Sequence, residues 1–134
     1  MQNSSFAPRL ILAISALVVA IIGFMVAFTP DILFASSGVS LGPNPSLRTE
    51  IRAPGALLLS VAVYLAHGAM RAKQLTGPLL VAAAVFLSYG AGRLVSLGLD
   101  GLPDTGLLIA LAIELGLGAA ALWAWIKQSR RKAA

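Results

Sequence analysis

The chain has 134 residues, 58% of them hydrophobic and only 11% charged, with a mean hydropathy of +0.89. Soluble domains carry roughly 25% charged residues, so a water-soluble fold of this length would leave most of its apolar surface in water; the composition indicates an integral membrane protein with no room for a separate soluble domain. The net charge of +5 is no sign of nucleic acid, because the basic residues sit at the ends of apolar runs, and the absence of cysteine excludes disulfides, thiolate nucleophiles and thiolate metal sites.

Residues 1–8 read as a short polar leader. From 10 to 28 every residue is apolar, Gly or Ser, and Pro30-Asp31 closes the run. An apolar core of about 19 residues exceeds the roughly 7–15 of a signal peptide and suits a membrane span, so the expectation is an uncleaved first helix, placed at residues 9–29. Residues 32–48 are rich in Ser, Gly and Pro and are expected to form a loop, since a helix does not run through its prolines. The second helix is expected over 48–70, with Pro54 tolerated within its first turns. Arg71 and Lys73 follow, and Thr76-Gly77-Pro78 turns the chain. The third helix is expected over 79–98 and the fourth over 105–126, with Asp104 as its N-cap after Pro103. The expected fold is all-α: a single four-helix transmembrane bundle.

Basic residues set the orientation. The N-terminus, the middle loop and the C-terminal tail hold seven (Arg9, Arg71, Lys73, Lys127, Arg130, Arg131 and Lys132), and the other two loops hold Arg48 with Arg52 at the border. Asp31, Glu50, Asp100 and Asp104 lie on that second side. The positive-inside bias predicts a multi-pass protein with both termini cytoplasmic and its acidic loops facing the periplasm or cell exterior. Trp123, Trp125 and the basic tail suit an interfacial belt and an electrostatic anchor.

Small residues four apart favour close helix contact in lipid. The third helix offers Ala84, Ser88, Gly92 and Ser96, and the fourth Ala112, Gly116, Ala120 and Ala124. On the second helix Arg52, Ala56, Ser60 and His67 fall within about 80° of one another, with Tyr64 at the margin. This polar seam is expected to face the bundle interior.

Two ionisable residues lie inside apolar runs, where each costs several kcal/mol unless partnered. Glu114 falls roughly 13 Å from the start of the fourth helix, and Arg93 roughly 6 Å from the end of the third. Arg52 enters from the same membrane side. If the third helix extends by a turn, Arg93, Ser96 and Asp100 share a face. The expectation is an outward-side cluster of Glu50, Arg52, Arg93, Asp100 and Glu114, with Ser60, Tyr64, His67, Tyr89 and Ser96 as polar lining. Its plain reading is a charge-paired staple between helices; its functional reading is a pocket where arginines grip an anionic group and Glu114 is the counter-ion or a proton acceptor. His67 has no second ligand at metal-binding spacing, Gly90-Ala91-Gly92 lacks the strand-then-helix context of a dinucleotide loop, and no nucleophile stands beside a base.

Glu50-Ile51-Arg52-Ala53-Pro54-Gly55-Ala56 and Gly92-Arg93-Leu94-Val95-Ser96, the latter followed by Asp100-Gly101-Leu102-Pro103, together carry a resemblance. With four spans and Glu114 in the last, the chain resembles the small bacterial four-helix membrane proteins of domain-of-unknown-function family 4345. The family pattern often has two glycines where this chain has Gly55-Ala56. The resemblance implies the fold and marks Glu50, Arg52, Arg93, Asp100 and Glu114 as the family's polar set. It implies no activity.

The expected role is an accessory or small-ligand- or lipid-binding membrane component, with no catalytic residue, metal or cofactor assigned. The alternative is a small oligomeric proton-coupled transporter using Glu114. Expected partners are membrane lipids and a second copy or another membrane protein.

Overall fold

The computed structural model describes residues 5–71 and 73–133, without the side chains of 132 and 133. Lys132, counted in the basic tail, and residues 1–4 of the leader fall outside this description. The chain forms α1 (Phe6–Phe28), α2 (Pro30–Ala35), α3 (Pro45–Met70), α4 (Thr76–Asp100) and α5 (Thr105–Ala133). Four of these are long and apolar enough to cross a membrane. At most 33% of each span's most apolar window is buried within the chain, so the remainder must meet lipid or another protein.

Helix ends depart from expectation where local chemistry extends them. The α1 helix begins at Phe6, inside the stretch read as leader. Residues 30–35, expected as loop or border, form α2, because Pro30 occupies the first helical turn, where its missing N–H costs nothing. Pro45 opens α3 in the same way, and the Asn44 side chain accepts from the Ser46 and Leu47 amides at 2.9 and 3.3 Å. Pro54 consequently lies in the helix interior rather than its first turns. The α4 helix continues to Asp100 before Gly101 turns with φ +95°. Asp104 caps α5 as expected, accepting from Gly106 at 2.8 Å and Leu107 at 3.3 Å. That helix runs to Ala133, and Lys127 stacks over Trp123 at 4.8 Å.

The helices pair as two hairpins, α1 with α3 and α4 with α5, which then pack on each other. Between α1 and α3 the backbones almost touch: a Cβ on Gly55 would lie 2.6 Å from the Ala27 nitrogen. Gly90 admits Leu115 and Gly118 admits Leu87, closing α4 on α5. These glycines, not the anticipated small stripes, make the close contacts. Ala84, Ser88, Gly92 and Ser96 are all exposed, as are Ala112 and Gly116; only Ala124 of the two stripes is buried. The inner face of α4 is set by Leu79, Ala82, Phe86 and Gly90, which leaves the small stripe turned away.

The anticipated polar seam of α3 is likewise outside. Arg52, Ala56, Ser60, Tyr64 and His67 are exposed, while Gly55, Leu58, Ala62 and Leu65 fill the interior from the opposite side of the helix. Ser60 satisfies its hydroxyl on its own helix, donating to the Ala56 carbonyl at 3.1 Å.

Burial is graded along the bundle. Leu12, Leu65, Leu79, Ala82, Ala121 and Ala124 are completely buried and lie toward the end that carries Arg9, Arg71 and Lys73. At the other end, residues 91–117 contain no buried residue. The bundle is tight at its basic end and open where α4 and α5 approach their connecting turn.

Candidate functional site

In that open stretch stand Arg93 and Glu114. Because α4 reaches Asp100, Arg93 lies about 10 Å from the helix end rather than 6 Å, which brings it level with Glu114 at roughly 13 Å along α5. Arg93 follows Gly90 by one turn, on the face that Gly90 and Gly118 bring against α5. The Arg93 Nε donates to both carboxylate oxygens of Glu114, at 2.9 and 2.8 Å. The Glu114 side chain is 13% exposed and that of Arg93 32%, so the carboxylate is the deeper member.

This geometry leaves donors unused. A guanidinium usually meets a carboxylate with two nitrogens in a fork; here a single nitrogen serves both oxygens. Among the described residues, neither terminal amino group of Arg93 makes a hydrogen bond. Arg93 lines two cavities. One, of about 120 Å³, is walled by Val19, Ile22, Leu58, Phe86, Tyr89 and Ile113, with Arg93 and Glu114 in its lining. The other, of about 60 Å³, lies between Arg93, Ser96, Leu97, Pro103 and Leu107. An apolar chamber with one cation at its edge, already balanced by a carboxylate, can take an anionic head on an apolar body.

The other expected members are distributed differently. Ser96 donates to Asp100 at 2.7 Å, so the extra turn of α4 does align that face, and these two satisfy each other. Arg52 does not converge on Arg93: its Nη1 donates to the Ala27 carbonyl, one of the orphan acceptors ending α1. Glu50 is exposed and makes no hydrogen bond or ion pair among the described residues. Tyr89 lines the larger Arg93 cavity, one turn from the arginine. Tyr64 and His67 line a separate cleft of about 250 Å³ at the basic end, beside Lys73, Gln74 and Thr76.

One ionic contact had no counterpart among the expected site residues. Arg48 grips Asp31 with a two-nitrogen fork at 2.8 and 2.7 Å and also donates to the Gly42 carbonyl. It thereby ties α2 and the intervening loop to the start of α3. The bond from Arg48 holds the Asp31 carboxyl below its ordinary range. The signal in the sequence was a lone acid and a lone base at the two borders of the Ser/Gly/Pro-rich segment.

Compared with known proteins, the chain matches one family model, described as Domain of unknown function (DUF4345), over residues 7–125. No curated protein and no solved structure matches it.

Proposed function

The chain belongs to the DUF4345 family, a membership that names no activity, and from the site itself we propose a non-enzymatic binding or accessory role in which Arg93 holds the anionic head of a small amphiphile. Glu114 is the counter-ion that neutralises and positions the arginine while the site is empty. The reading includes an inner-membrane location with both termini cytoplasmic and the Arg93 pocket in the outward half, supported by the basic bias of one end.

The carrying observation is the guanidinium that binds Glu114 through Nε alone, its terminal amino groups without a hydrogen bond among the described residues, on an arginine that lines an apolar cavity of about 120 Å³. At about 30 Å³ per water, that volume fits a carboxylate or phosphate head and a few carbons rather than a whole lipid. That Glu114 gives both oxygens to one arginine suits a counter-ion.

The test is native mass spectrometry of the protein extracted gently from its own membrane. A small anionic amphiphile should accompany the wild-type chain and be absent from the Arg93→Gln/Glu114→Gln double variant. That variant keeps an amide pair in place of the ions, so its fold can be checked by melting. A well-folded, bare wild-type chain would overturn the proposal.

A further inference from the structure

On the outer surface between α1 and α3 runs an apolar groove of about 540 Å³, floored by Ala13, Ala16, Ala20, Ala62, Ala66 and Ala69. Along α3 it extends from Leu59 to Met70, which at 1.5 Å per residue is about 16 Å. Half of a hydrocarbon core some 30 Å thick is about 15 Å, so the groove is one leaflet long. Its Ala69 and Met70 end is the basic end of the bundle. Arg9 stands one turn above Ala13 on the same face of α1, and its Nε donates to the Ala69 carbonyl at 2.7 Å across the groove mouth. Among the described residues the terminal amino groups of Arg9 make no hydrogen bond, and exposed Arg71 follows Met70 directly.

Beyond the other end the surface is aromatic. Continuing the Ala13, Leu17, Ala20 stripe, the next residues on that face are Phe24 and Phe28, both more than half exposed, their rings 5.0 Å apart. A partner helix spanning both leaflets would have to seat against this exposed aromatic pair in the second. A single acyl chain needs only one leaflet.

We propose that this groove is a binding site for one anionic glycerophospholipid of the leaflet on the basic side. An acyl chain lies on the alanine floor and the phosphate meets Arg9, with Arg71 adding charge. The site shares no lining residue with the Arg93 pocket.

The experiment exchanges the purified full chain into phosphatidylglycerol or phosphatidylcholine and measures retained lipid by native mass spectrometry. Wild type should retain one phosphatidylglycerol in preference to phosphatidylcholine. Ala66→Phe, which fills the groove from an exposed position, should lose that lipid, whereas Ala84→Phe on the exposed face of α4 should keep it. Arg9→Gln, which retains a donor for Ala69, should weaken the preference between headgroups, leaving only the contribution of Arg71. The Arg93→Gln/Glu114→Gln chain should still retain this lipid, so failure of the Arg93 proposal leaves this one standing. Unchanged retention in a folded Ala66→Phe chain, an unchanged headgroup preference in Arg9→Gln, or a dimer mass in place of the lipid-bound monomer would overturn it.

Discussion

A carboxylate 13% exposed, set among residues with no buried neighbour in their own hairpin turn, is held by one arginine. Removing either partner strands the other in an apolar layer, a cost of about 3–5 kcal/mol for fully buried pairs. Arg93 is 32% exposed, so about 2 kcal/mol is expected from Arg93→Ala or Glu114→Ala, after discounting for solvent screening. The double alanine variant should lose less than the sum of the two, and thermal melting of all four chains in mild detergent reads the coupling. Additive losses would show that the pair holds nothing together. Ser15 poses the opposite case. It is completely buried, and among the described residues its hydroxyl has no hydrogen-bond partner. An unsatisfied buried hydroxyl costs on the order of 1 kcal/mol, so Ser15→Ala should raise the melting temperature rather than lower it.

At the scale of elements, contact between α1 and α3 depends on Gly55. A methyl group there would sit 2.6 Å from the Ala27 nitrogen, and backbone cannot move aside cheaply. Gly55→Ala should therefore cost about 1–3 kcal/mol, while Ala56→Ser, on the exposed side, should change melting little. The Arg48 clasp makes a pH prediction. Arg48 depresses the folded-state pKa of Asp31, so the clasp contributes fully above the ordinary value of 3.8 and is lost as pH falls through the lower folded value. The melting difference between wild type and Asp31→Asn should be steady at neutral pH and vanish only in acid below 3.8; a difference that vanished between pH 5 and 7 would refute the clasp. These elements also show what the sequence can reveal. Four spans were visible because apolar runs of that length have no other use, and Arg93 with Glu114 stood out because charge inside such runs demands a partner. The α2 helix was hidden by a proline read as a breaker where it acts as a starter. The faces of α3 and α4 were hidden because a helical wheel shows which residues lie together, not which side a neighbour takes. In lipid the usual guide, polar residues outward, loses its force: Ser60 is exposed yet bonded to its own backbone.

For the whole molecule, two asymmetries coincide. The tightly packed end carries Arg9, Arg71, Lys73, Lys127, Arg130 and Arg131, whereas the open end carries Asp31, Glu50, Asp100 and Asp104 with Arg48 and Arg52. Two of the open end's basic residues are engaged locally, Arg48 by Asp31 and Arg52 by the end of α1. The excess of basic over acidic residues is therefore concentrated at one end, and basic segments resist translocation. The packed end should face the cytoplasm and the Arg93 pocket should be reached from outside. The absence of native cysteine makes this directly measurable. Ser40→Cys, in the exposed loop before α3, should react with a membrane-impermeant maleimide on intact cells. Gln74→Cys, exposed in the turn between α3 and α4, should react only after the membrane is opened. The reverse pattern would put the Arg93 pocket on the cytoplasmic side, where its ligand would have to be an amphiphile made inside the cell.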